Sequence, residues 1–112
     1  MMISSDVNNI VNIINNNTGI DDKISVYGNN NIFYVLSGRE HATKYSYQYP
    51  IGKFYPKIVE EYFNELSKEK PKIIIVEMRT KDSLIQQFLK DNNYLILYSD
   101  SKIGEVYRLL ED

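Results

Sequence analysis

The chain has 112 residues, a mass of 13.1 kDa and a net charge of −2 from 13 basic and 15 acidic residues. That is the size of one domain, and a sequence pI near 5.4 leaves no basic excess for general nucleic-acid binding. The absence of cysteine excludes disulfides, thiolate zinc sites and cysteine nucleophiles, and the single histidine excludes a His-rich metal site.

Hydrophobic residues make up 43% of the chain and charged ones 25%, a balance that suits a globular domain with a buried core. The longest apolar runs, Ile32–Leu36 and Tyr94–Tyr98, are too short to cross a bilayer, and the N-terminus lacks the basic start and apolar core of a signal peptide. Twelve Asn, fifteen Ile and ten Tyr match an A/T-rich coding bias, so the triplets Asn15–Asn17 and Asn29–Asn31 read as helix ends and turns.

In chain order, Val7, Ile10, Val11 and Ile14 keep the spacing of an amphipathic helix, with Ser4 or Ser5 as its cap. Asn17-Thr18-Gly19 stops it, Gly19 being suited to a left-handed C-terminal position. Lys23–Tyr27 predicts a short strand ended by Gly28. Asn29 or Asn30 can then cap a short helix carrying Ile32, Phe33, Val35 and Leu36, which Ser37-Gly38 closes. Thr43–Tyr49 alternates Thr43, Tyr45, Tyr47 and Tyr49 with the period of a strand.

Pro56 fits the first turn of the next helix, whose apolar stripe is Val59, Tyr62, Phe63 and Leu66. The Ile73–Val76 run inside Lys72–Glu77 predicts a strand buried on both faces. Asp82 caps a helix with Leu84, Ile85, Phe88 and Leu89 as its core face, and Asp91-Asn92-Asn93 ends it. Tyr94–Ser99 and Glu105–Leu109 form an antiparallel hairpin. The expected architecture is a single three-layer α/β domain, Rossmann-like, with a mostly parallel sheet of about five strands and an antiparallel C-terminal edge hairpin. Residues 1–22 form its helix and connector, and residues 23–112 its globular body.

Chemistry-bearing residues gather mainly before the middle of the chain. Tyr27-Gly28-Asn29-Asn30-Asn31 lies between a strand and a helix, where backbone N–H groups can receive an anion or simply form a capped turn. No dinucleotide fingerprint or P-loop accompanies it. Arg39 can hold a phosphate or carboxylate, or anchor a loop by pairing with a local acid. His41 has only the adjacent Glu40 to orient it and no nucleophile to activate, so it reads as a solvated loop residue rather than a base. Tyr45, Tyr47, Tyr49, Phe54 and Tyr55, with Lys44 and Lys53, suit stacking on sugars or bases, a place at a membrane interface, or packing on the sheet. The adjacent acids Asp21-Asp22 and Glu60-Glu61 read as solvated, and Glu77 stands alone at a strand's C-terminal end.

Several of these segments resemble a known pattern. Val26-Tyr27-Gly28, Ile32–Arg39, Ala42-Thr43-Lys44-Tyr45 and Tyr49-Pro50 are similar to a run in bacterial polytopic membrane glycosyltransferases, the family of protein O-mannosyltransferases and aminoarabinose transferases. Leu66–Val76, Tyr94 and Gly104-Glu105-Val106-Tyr107-Arg108 resemble later segments of the same extracytoplasmic domain, in the same order. Tyr27 stands where that pattern often has Trp, and Lys44 where it often has Arg.

The resemblance implies the C-terminal soluble domain of an enzyme that moves a sugar from a polyprenyl-phosphate donor to an acceptor outside the membrane. The family's catalytic acids lie between transmembrane helices, so no catalytic position carries over and no cofactor is expected in this part. The implied partner is the transmembrane domain of the parent enzyme, with a sugar or polyprenyl-phosphate head group as the ligand. Tyr27, Gly28, Asn29, Tyr34, Arg39, Tyr45 and Tyr47 are the candidate contact residues, backed by Tyr49. Val7–Ile14 would connect the last membrane span to the sheet. Two other readings stand beside this one: a free-standing domain binding a nucleotide or phosphorylated small molecule at Gly28–Asn31, and a structural interaction module that buries its tyrosine-rich segment against a partner.

Overall fold

The computed structural model describes residues 5–28, 31–43 and 55–110. Its elements are α1 (Ser5–Asn17), β1 (Ile24–Tyr27), α2 (Ile32–Ser37), α3 (Pro56–Glu69), β2 (Ile73–Glu77), α4 (Ser83–Asp91), β3 (Tyr94–Asp100) and β4 (Gly104–Leu109). The four described strands make one mixed sheet in the order β1-β2-β4-β3.

Successive strand residues point to opposite faces, and β2 supplies both cores. Ile73 and Ile75 join Ile24, Val26 and Val106 beneath Ile10, Val11 and Ile14 of α1 and Phe33 and Tyr34 of α2. On the other face, Ile74 and Val76 join Tyr27 beneath Tyr62 and Leu66 of α3 and Ile85 and Leu89 of α4. The buried run Ile73–Val76 therefore does what its sequence predicts.

The expectation of a mostly parallel, Rossmann-like sheet of about five strands is corrected. Only β1 and β2 pair in parallel, while β4 is antiparallel to both β2 and β3. The α4 crossover does return β3 in the direction of β2, but one place further out, and β4 fills the gap between them. A tight hairpin keeps β4 beside β3: Asp100 Oδ1 accepts the Lys102 and Ile103 N–H groups, each at 2.9 Å. The C-terminal strand thus lies inside the sheet, and β3 lies at its edge. Apart from Thr43, the expected strand Thr43–Tyr49 falls outside the described residues, as do Ser4, Asn29, Asn30 and Phe54.

Helix ends follow local chemistry, with one exception. Pro56 opens α3, Asp82 caps α4 by accepting the Ile85 N–H, and Gly38 closes α2 at φ 71°. Asn31 precedes α2 without a side-chain cap bond. Gly19, however, does not take a left-handed conformation. Asn17 Nδ2 and Thr18 Oγ1 instead donate back to the Ile13 and Ile14 carbonyls, satisfying acceptors that the last turn of α1 leaves open. Among the described residues, no helix is long and apolar enough to cross a membrane.

Candidate functional site

The parallel pair β1–β2 brings Tyr27 beside Val76, so both strands deliver their C-terminal ends to one place. In α/β folds that end is where ligands tend to bind. Here the loop from β2 to α4 closes over it through three consecutive side chains. Thr80 Oγ1 donates to the Tyr27 carbonyl at 2.7 Å. Lys81 Nζ meets Glu105 Oε1 at 2.9 Å. Asp82 uses Oδ1 to cap α4 and Oδ2 to accept the Tyr27 hydroxyl at 2.8 Å.

Gly28 follows Tyr27 and lies so close to Glu77 that a Cβ there would run into the Glu77 carboxylate. A Cβ there would have to push the flexible Glu77 side chain aside, and the group that lies against this glycine is a side chain of this protein. Beyond it on the sheet, the buried Glu105 also accepts the Tyr107 hydroxyl at 2.7 Å. Burial pushes the Glu105 carboxyl up, while the Tyr107 hydrogen bond and the Lys81 charge outweigh it and hold the group below its ordinary range. Burial and the neighbouring carboxylate Asp82 push the Tyr27 phenol far up, so it remains a hydrogen-bond donor at neutral pH.

The other candidate residues lie elsewhere. Tyr34 packs in the core on the opposite face from Tyr27, and its hydroxyl accepts the Val26 N–H at 2.7 Å. Burial pushes its phenol up to about 12. The His41 ring lies against it with ring centres 3.8 Å apart, and burial lowers the histidine's proton affinity although Glu40 opposes the shift.

Arg39 anchors a loop through backbone and hydroxyl oxygens, with the acid Asp22 also within reach of its charge. Nε and Nη2 donate to Thr18 Oγ1 and to the Thr18 carbonyl at 3.0 and 3.1 Å, and Nη1 donates to the Ser37 carbonyl at 2.9 Å. The planar guanidinium fork suits this task better than a lysine point charge. It ties the end of α1 to the end of α2. Asn29, Tyr45, Tyr47 and Tyr49 are outside the described residues. The sheet therefore separates Tyr27 and Gly28 from Tyr34, and Arg39 sits at a third location.

Sequence reasoning missed Thr80, Lys81, Glu105 and Tyr107. Their partners are distant in sequence, and only the position of Thr80–Asp82 between a buried strand and a helix hinted at a role. The Ser25–Tyr62 hydroxyl pair, fully buried at 2.7 Å, was equally hidden. Among the described residues no three metal-ligating side chains converge. Among the described residues, the two most spacious of several clefts lie away from the strand ends. One of about 430 Å³ is lined by Pro56, Val59, Phe63 and Leu84 among others, and one of about 250 Å³ includes Asp22, Lys70 and Lys72. The arrangement at the strand ends is chemically a lock, made of protonated phenols and paired carboxylates. Searches of protein families, curated proteins and solved structures find no match to this chain.

Proposed function

We propose that this chain is a non-catalytic accessory domain of a bacterial membrane glycosyltransferase, one that helps shape the donor or acceptor opening on the extracytoplasmic side. The reading begins from the resemblance of residues 23–109 to that family's soluble domain. One observation carries it further: Tyr27, Gly28, Tyr34, Gly38 and Arg39, all within the resembling run, serve turns, edges and loop anchors of the fold. A motif built from such residues encodes architecture, which suits an accessory role.

The nucleotide reading draws less support. The Glu77 side chain lies against Gly28, in the space where a phosphate would have to approach.

The test is cell fractionation followed by transfer. An antibody against this chain should detect a polypeptide larger than 13.1 kDa in the membrane fraction. Those membranes should transfer labelled sugar from a polyprenyl-phosphate donor. Recovery of the antigen as a free 13.1 kDa polypeptide in the soluble fraction overturns the proposal.

A further inference from the structure

We propose that the cleft between α3 and α4 binds a small organic ammonium, a cation carried on an aromatic or aliphatic body. This inference is independent of the glycosyltransferase reading. The cleft measures about 430 Å³, a volume within the range of small-molecule sites. Pro56, Val59 and Phe63 share one face of α3 and supply one wall, and Leu84 of α4 supplies the other. The apolar row stops after two turns, because Ser67 takes the position that would continue it. A strip about 10 Å long results, enough for a fused ring and a short amine tail.

The rest of the fold fixes these walls. Phe63 packs among the rings of Tyr27, Tyr62 and Phe88, with centres 5.8, 5.3 and 5.5 Å away. Leu84 is 56% exposed, yet it stands two residues after Asp82, which accepts both the Ile85 N–H and the Tyr27 hydroxyl. Apolar surface on so fixed a frame cannot turn inward to escape water. A ligand that covers it gains the burial without first ordering the site.

The rim indicates the charge of the occupant. Glu60 is the one charged side chain among the described residues that line the cleft, and Asn64 stands one turn beyond it. Among the described residues, neither side chain has a hydrogen-bond or ion-pair partner. Lys57 lines a neighbouring cleft and not this one. The Glu60 carboxylate, the Asn64 amide oxygen and the π-system of Phe63 all favour a cation, and Glu60 repels a carboxylate or phosphate.

The test is an NMR titration of the isotope-labelled chain with tryptamine, set against tryptophol as its neutral isostere and indole-3-propionate as an anionic one. Tryptamine should shift the Val59, Phe63 and Leu84 amide signals saturably, with a Kd of about 1 mM, the level expected for a ligand of this size. Tryptophol should bind about threefold more weakly or worse, and indole-3-propionate more weakly still. Glu60→Gln should lower tryptamine to the affinity of tryptophol and leave tryptophol unchanged, a split that a loss of folding would not produce. Leu84→Ala should weaken all three. The chain has no tryptophan, so indole fluorescence anisotropy reports the bound probe directly. Equal affinities for the amine and the alcohol overturn the proposal, as do shifts that fail to saturate by about 20 mM or that centre away from this cleft. A short lysine–leucine peptide that binds the same residues about a hundredfold tighter than tryptamine would assign the cleft to a polypeptide and overturn it as well.

Discussion

The Tyr34 hydroxyl sits 2.7 Å from the Val26 amide and accepts its hydrogen bond from the outer edge of β1. One residue pair away, the same edge is bridged by residues 40–42: the Ile24 N–H donates to the Glu40 carbonyl and the Ala42 N–H to the Ile24 carbonyl. A phenol thus finishes, at Val26, the row of bonds that backbone begins at Ile24. Tyr34→Phe keeps the ring and removes the hydroxyl, which also bonds the Ser25 side chain, leaving the buried Val26 N–H unsatisfied. The expected loss is about 1–3 kcal/mol of unfolding free energy. Denaturant titration measures it, and faster hydrogen exchange at Val26 should accompany it. A loss below about 0.5 kcal/mol would mean that the hydroxyl is dispensable.

The buried hydroxyls of Ser25 and Tyr62 satisfy each other at 2.7 Å. Ser25→Ala should destabilise by about 1–2 kcal/mol, because it strands the Tyr62 hydroxyl, and Tyr62→Phe by somewhat less, because Ser25 keeps the Tyr34 hydroxyl as a partner. The double variant should cost clearly less than the sum of the two, giving a coupling of about 0.5 kcal/mol or more. Additive losses in the cycle would rule out direct coupling.

Two glycines should respond very differently to alanine. Gly38, at φ 71°, closes α2 in open space, so Gly38→Ala meets only backbone strain of about 1 kcal/mol. Gly104, at φ 152°, faces the Val76 carbonyl, and a Cβ would stand 2.9 Å from Glu77 Cα. Backbone cannot swing aside as a side chain can, so Gly104→Ala should cost more than about 3 kcal/mol and loosen the β2–β4 pairing. Thermal unfolding of the two variants side by side gives the ranking, and an equal loss would contradict it.

Glu105 makes stability depend on acid. Its folded carboxyl titrates below the ordinary value of 4.5 despite burial, held there by Tyr107 and Lys81. The charged carboxylate therefore contributes stability that is fully present above the unfolded-state value and disappears as pH falls through the lower folded-state value. Glu105→Gln should be less stable than the parent at pH 7, and the gap should narrow steadily as the pH drops below 4.5. Urea midpoints for both proteins across that range measure it. A gap that does not change with pH would show that the pair acts by packing alone.

Arg39 offers a contrast between shape and charge. Lysine preserves the charge but cannot reach the Thr18 and Ser37 oxygens as a fork. Arg39→Lys should therefore destabilise nearly as much as Arg39→Ala, by about 1–2 kcal/mol. Full rescue by lysine in a denaturation series would point to charge as the decisive property.

The parts of the fold legible in the sequence are those fixed by near neighbours. The Ile73–Val76 run needs apolar surroundings on both faces, and Pro56, Asp82 and Gly38 act within one helical turn of their own positions. Strand adjacency is not local in this sense. Tyr94–Tyr98 is as apolar as an interior strand yet lies at the edge, while Glu105, nominally a surface residue, is buried because Lys81 and Tyr107 take up its charge. The candidate site divided along the same line. Tyr27 and Gly28 were legible as a strand end, but what meets them, Asp82, Thr80 and Glu77, lies some fifty residues away. α1 does stop at Asn17, but Gly19 does not take the left-handed turn expected of it, because Asn17 and Thr18 turn back on the helix first.

The insertion of β4 between β2 and β3 also sets an order of events during synthesis. When Asp100 leaves the ribosome, β1 and β2 can already pair, but the opposite edge of β2 has no neighbour until residues 104–109 emerge. Counted from its own emergence, the apolar strand segment Ile73–Val76 waits half-covered for roughly thirty residues of translation. Ribosome-stalled chains ending before Gly104 should accordingly be bound by chaperones, and those that expose Leu109 beyond the exit tunnel should be released.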